Sequence, residues 1–204
     1  MDFIVKKYNK LCQQKSDINE HLPTLHKYAS QCESIIELGI RGVVSTYALI
    51  YGLLCNKSSN KKMLLNDIVP CNMSELLQFT AKLKIDIKCE WMNDLDLEIK
   101  ENYDLTFIDT WHVYGQLKRE LDKFSKVTNK YIIMHDTTVD DYKGETIRKK
   151  MNATKQSFET GIPLHEINTG IMPAITEFLE NNKNWKMKER FTNNNGLTIL
   201  EKIK

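Results

Sequence analysis

The chain has 204 residues, 41% of them apolar, with 29 Lys and Arg against 27 Asp and Glu, for a formal charge of +2 at pH 7. That length can bury one good core, so a single domain over 1–204 is expected, and near-neutral charge without a concentrated basic face argues against nucleic acid as a partner. No apolar run approaches a membrane span, and the opening MDFIVKKYNK is too short an apolar stretch for a leader, so no membrane partner and a cytoplasmic location are expected.

Five scattered cysteines (Cys12, Cys32, Cys55, Cys71, Cys89) show neither zinc-site nor disulfide spacing and read as reduced thiols. The first segment with a pattern, DINEHLPTLHKYASQ, reads as one or two short helices with Pro23 near a helix start. Residues 1–33 thus form a helical cap over whatever lies behind them. From 34 to 138, short apolar runs alternate with longer amphipathic segments: SIIELG, VVSTYALIYGLL, KMLLNDIV, SELLQFTAKLKI, DIKCEW, YDLTFID, YGQLKRELDKFSKV and KYIIMHD. Such alternation predicts an α/β fold, a mostly parallel sheet with helices on both faces. LTFID and YIIMHD are apolar without alternation, as strands buried on both sides should be. Residues 139–204 begin irregularly, then give a helix at MPAITEFLENN, a strand at WKMKERFT, a turn at NNNG and a closing strand at LTILEKI.

Gly39 and Gly42 stand at the first strand-to-helix turn, where glycine admits positive φ and a close ligand. A dinucleotide fingerprint needs a third glycine, because the pyrophosphate lies against the helix N-terminus; here the order is E-L-G-I-R-G-V-V-S. Glu37 at the strand end would repel a pyrophosphate and attract an ammonium or sulfonium group, so S-adenosylmethionine is the ligand these residues suit. Asp67, at the end of the next strand, is placed to accept hydrogen bonds from ribose hydroxyls.

Taken together, IIELGIRGVVS, YDLTFIDTWHVYGQLKREL, YIIMHDTT, NNNGLTIL and the N-terminal DINEHLPTLHKYA resemble the class I S-adenosylmethionine-dependent methyltransferases. The resemblance is narrower to the small-molecule and sugar O-methyltransferases grouped with cephalosporin hydroxylase-like proteins. It implies a Rossmann-like seven-stranded sheet with an antiparallel last strand. It also implies that Glu37, Gly39, Arg41, Gly42 and Ser45 surround the methionine part of the cofactor and Asp67 its ribose. On the same grounds Trp91 and Asn93 approach the adenine, with Asp109 and Trp111 completing the cofactor side.

Methyl transfer to a hydroxyl needs an oxygen in line with the sulfonium methyl and a group to take the proton. I-D-T-W-H places Asp109 and His112 after the fourth strand, and I-M-H-D places His135 and Asp136 after the fifth. His112 is the expected general base, since an unperturbed imidazole titrates near neutrality, with Asp109 and His135 beside it. Asp109 and Asp136 are also candidate ligands for Mg²⁺ or Mn²⁺, although the second Asp found in related sugar methyltransferases is Thr137 here. The resemblance implies a small-molecule or glycan acceptor. The alternatives are N-methylation of a small amine, a dehydrogenase, which the missing glycine disfavours, and a catalytically silent binding module. Nothing in the pattern specifies an oligomeric state.

Overall fold

Apolar residues four positions apart, Ile4 and Tyr8, put a buried stripe on the opening segment, which forms helix α1 (Asp2–Gln13) at the start of the stretch expected to be helical. The structure, a computed structural model, describes residues 2–80 and 82–203. Helix α2 (Leu22–Ala29) follows a 3-10 turn at Asn19–His21 and carries Pro23 in its first turn. The core then alternates β1 (Ser34–Leu38), α3 (Val44–Cys55), β2 (Lys61–Asp67), α4 (Ser74–Thr80), β3 (Ile85–Trp91), β4 (Tyr103–Ile108), α5 (Tyr114–Phe124) and β5 (Thr128–His135). Three short helices, α6 (Glu145–Arg148), α7 (Ala153–Thr160) and α8 (Leu164–Ile167), fill the stretch the sequence reads as irregular. The chain closes with α9 (Met172–Asn181) and a hairpin of β6 (Trp185–Phe191) and β7 (Leu197–Lys202).

The strands form one seven-stranded sheet in the order β3-β2-β1-β4-β5-β7-β6. All run parallel except β7, which is antiparallel to both β5 and β6. The Rossmann-like architecture expected from the sequence is therefore the one observed. The hairpin turn uses left-handed Asn194, Asn195 and Gly196, at φ 45°, 69° and 96°.

Period-two alternation divides the core between the two faces of the sheet. Ile35, Tyr131 and Ile133 pack with α1, α2 and α3, whereas Ile36, Ile132 and Met134 pack with α5 and α9. Strand β2 stops at Asp67, the last residue in register with β3 and the strand end expected from the sequence, and Ile68 and Val69 turn away from the sheet. The helix from Ser74 likewise ends at Thr80, short of the sequence expectation. No described helix is long and apolar enough to cross a membrane.

Candidate functional site

The strand order reverses between β1 and β4, and in open α/β sheets ligands sit at the carboxyl ends on either side of such a point. A crevice of about 820 Å³ opens there. Of the residues singled out in the sequence, Gly39, Arg41, Asp67 and Asn93 line one end, and Asp109, Trp111, His112 and Asp136 the other.

Gly39 adopts φ 85°, and a Cβ built there would stand 2.0 Å from the carbonyl oxygen of Asp109. No side chain fits between these two loops, so the β1 turn lies directly on the β4 turn. Asp67 fixes the same turn from the other side, its Oδ2 accepting the backbone N–H groups of Ile40 and Arg41 at 2.9 Å each. Arg41 donates to Asp17 Oδ2 at 2.6 Å, tying the N-terminal segment to the mouth of the crevice.

Five positions differ from expectation. Glu37 does not reach the crevice: two residues after Ile35 it points to the α3 face, where it is fully buried and its Oε1 accepts the Ser45 hydroxyl at 2.5 Å. Its Oε2 has no hydrogen-bond partner. Burial, outweighing the bond from Ser45 and the nearby Thr46 hydroxyl, pushes the Glu37 carboxyl up to about 8, so it is a neutral acid at pH 7 and attracts no cation. Ser45 is correspondingly a partner of Glu37 under the loop. Gly42 is not the left-handed residue of the turn; Arg41 and Val43 take that conformation, at φ 41° and 61°. Trp91, at the end of an edge strand, packs against the α1–α3 core, and Met92 presents its apolar side chain to the crevice in its place. His135 lies beneath the crevice floor, with Nδ1 3.2 Å from Asp109 Oδ1 and Nε2 3.1 Å from the Asp17 carbonyl. Both neighbours accept, so with this ring orientation His135 carries a proton on each nitrogen.

His112 is the hub of the other end. Its Nε2 is 3.2 Å from Asp109 Oδ1, and its Nδ1 lies 2.9 Å from Asp136 Oδ2 and 3.3 Å from Asp140 Oδ2 without hydrogen-bonding either. Burial lowers the imidazole pKa, but contacts with Asp109, Asp136 and Asp140 outweigh it and hold it well above its ordinary value. Among these protein groups His112 is therefore an imidazolium, a correction to the near-neutral titration expected from residue type. Burial alone would raise Asp109, yet His112 and His135 hold it well below the usual carboxylate range. Ligand atoms of Asp109, His112 and Asp136 all lie within 4.8 Å of one another. Asp136 Oδ1 and His112 Nδ1 are buried without hydrogen bonds, and this oxygen–nitrogen set fits a hard divalent ion.

Other residues take their part only in the structure. Asp140, buried behind the lining, and Arg148 are joined by two hydrogen bonds of 2.6 Å, and Glu145 holds Lys149, so the cations of residues 143–150 that reach the crevice are already paired. The motif spacing hides this, because β5 and α6 meet only after the chain has turned through 136–144. At the opposite end Asp94 and Gln116 line the crevice. Gln116 Nε2 bridges Asp94 Oδ1 at 3.0 Å and Glu120 Oε1 at 2.9 Å, and Glu120 also accepts from Thr110. Burial first, then the charge of Asp94, raises Glu120 well above its ordinary value.

No protein-family profile matches the chain, and no curated protein resembles it significantly in sequence. Solved structures share its fold. The O-methyltransferase TomG from Streptomyces achromogenes, involved in tomaymycin synthesis and solved with S-adenosylmethionine, superimposes with TM-score 0.61 at 11% identity over 97% of this chain and 90% of that one. The N-methyltransferase NodS from Bradyrhizobium japonicum WM9, solved with S-adenosylhomocysteine, gives TM-score 0.59 at 12% identity over 98% of this chain and 99% of that one. An O-methyltransferase from Bacillus cereus, also with S-adenosylhomocysteine, gives 0.56 at 15% identity over 98% of this chain and 91% of that one. The chain has the fold of the class I S-adenosylmethionine-dependent methyltransferases, both O- and N-directed.

Proposed function

We propose that the chain is an S-adenosylmethionine-dependent O-methyltransferase acting on a hydroxyl of a small neutral acceptor, a sugar or glycan end. The observation that carries this reading is the single crevice joining the Gly39–Asp67 end to the Asp109–His112–Asp136 end, in a fold whose solved examples hold this cofactor. Asp67 faces the ribose, and Ile68, Val69, Met92 and Asn93 supply apolar contact and a hydrogen-bonding edge for the adenine. The cations at the rim support a neutral acceptor. Arg41, Arg148 and Lys149 are each tied to a carboxylate, and Asp17, Asp109, Asp136 and Glu145 would repel a phosphate.

On this reading His112 takes the acceptor proton, and the Asp109 contact at Nε2 orients its ring. Its carboxylate neighbours must first be compensated by other positive charge, since an imidazolium cannot act as a base. The cofactor's sulfonium and ammonium groups bring such charge to the crevice. Convergence of Asp109, His112 and Asp136 also favours a second reading, a divalent ion held by these three residues. Such an ion supplies Lewis acidity, lowering the pKa of a bound hydroxyl.

Calorimetric titration with S-adenosylhomocysteine, in EDTA and again with Mg²⁺ or Mn²⁺, tests both readings. Micromolar binding is expected. Metal-dependent binding of cofactor or acceptor favours the ion, and absence of binding in every buffer overturns the methyltransferase assignment.

A further inference from the structure

Eleven large apolar side chains are exposed among the described residues. Three of them, Ile68, Val69 and Met92, face the crevice. Five others fall within residues 142–164: Tyr142, Ile147, Met151, Phe158 and Leu164, exposed by 69, 43, 46, 91 and 44%. Helix α7 lies in this stretch and buries none of its eight residues, so the sheet does not need it as a packing layer. The stretch is nevertheless ordered by internal bonds. Thr146 donates to Gln156 at 2.9 Å, linking α6 to α7, and the Ser157 hydroxyl donates to the Ile162 carbonyl at 2.7 Å.

The same residues 142–164 carry five Lys and Arg against two Glu. Lys149 and Lys155 pair with those two glutamates and Arg148 with Asp140, leaving exposed Lys143 and Lys150 without an ion pair among the described residues. A surface that offers two unpaired lysines beside exposed aliphatic and aromatic side chains matches an anionic lipid–water interface. The lysines meet headgroup charge there, and the apolar groups enter the acyl boundary. A base-stacking site for single-stranded nucleic acid is a poorer match, because Ile147, Met151 and Leu164 have no π-face.

We propose that the α6–α8 face docks on the anionic surface of a phospholipid membrane, a peripheral contact that needs no spanning helix. This inference goes beyond the methyltransferase reading and does not depend on it. If both hold, the docked face also carries the crevice-rim residues Arg148, Lys149 and Thr160, so the acceptor end opens beside the membrane.

Co-sedimentation of the full chain with vesicles tests the proposal, using phosphatidylcholine alone and phosphatidylcholine mixed with phosphatidylglycerol. Pelleting with the anionic vesicles only is expected. Phe158→Ser should weaken it about tenfold or more, from the loss of one inserted aromatic side chain. Joint replacement Lys143→Ser and Lys150→Asn should weaken it roughly thirtyfold, at about fivefold per cation. Asn is chosen because Lys150 is left-handed, at φ 52°. Both variants should melt like the parent, since the replaced side chains are exposed. Failure to pellet with either vesicle, or pelleting that ignores both variants, overturns the proposal. A dimer in light scattering that Phe158→Ser dissociates overturns it in favour of a second copy of the chain, and tighter binding of single-stranded RNA than of vesicles overturns it in favour of nucleic acid.

Discussion

Glu37 offers a sharp test because it is an acid enclosed by the core rather than by the crevice. Its side chain has no exposed surface, and its carboxyl is pushed from 4.5 up to about 8. The folded chain therefore binds a proton that the unfolded chain releases near 4.5. Stability is greatest below that value and falls as the pH rises through about 8, after which the full penalty is present. Linkage over these two values gives a loss of about 4 kcal/mol between pH 5 and pH 9 from this one group. Glu37→Gln keeps an acceptor for the Ser45 hydroxyl and removes the titration. Urea denaturation of parent and variant at each pH isolates the effect, because the histidines titrate alike in both. The variant should gain about 4 kcal/mol on the parent between pH 5 and pH 9. A difference between the two that stays constant across that range would refute the assignment of Glu37 as a neutral buried acid.

Other replacements probe the crevice. Gly39→Ala places a methyl group 2.0 Å from the Asp109 carbonyl oxygen, so calorimetry should find S-adenosylhomocysteine binding lost, with a lowered melting temperature. Arg148→Ala strands the fully buried Asp140 and should cost about 3 kcal/mol in urea denaturation, most of it recovered by adding Asp140→Asn. His112→Gln should abolish transfer of radiolabelled methyl groups while leaving S-adenosylhomocysteine affinity within a few-fold, since a base acts on the acceptor rather than on the cofactor. Asp136→Asn removes one of the three converging ligands and should weaken Mn²⁺ binding, read by paramagnetic relaxation of water, about tenfold or more.

How much of the site could be read in the sequence depended on the distance over which each feature acts. The LTFID and YIIMHD runs announce buried parallel strands because burial on both faces leaves no alternation, and the acids just beyond them lie at strand ends wherever the strands are placed. Gly39 was equally legible, since a tight turn between strand and helix has a local backbone requirement. The bounds of α1 are less legible, since only the Ile4 and Tyr8 spacing marks a helix within the expected N-terminal cap.

By itself, then, the sequence determined what periodicity and local backbone chemistry control: the strand–helix order, the glycine turn, and Asp67, Asp109 and Asp136 at the ends of their strands. Tertiary structure alone decided which side each polar group serves. One step of pleat sends Glu37 under α3 and makes it a neutral acid, and the β5–α6 connection brings Asp140, itself held by Arg148, to His112, 28 positions earlier in the chain. The charge on His112 is the sum of its contacts with Asp109, Asp136 and Asp140. Electrostatic interaction depends on separation in space and on burial, and neither is written in the order of residues.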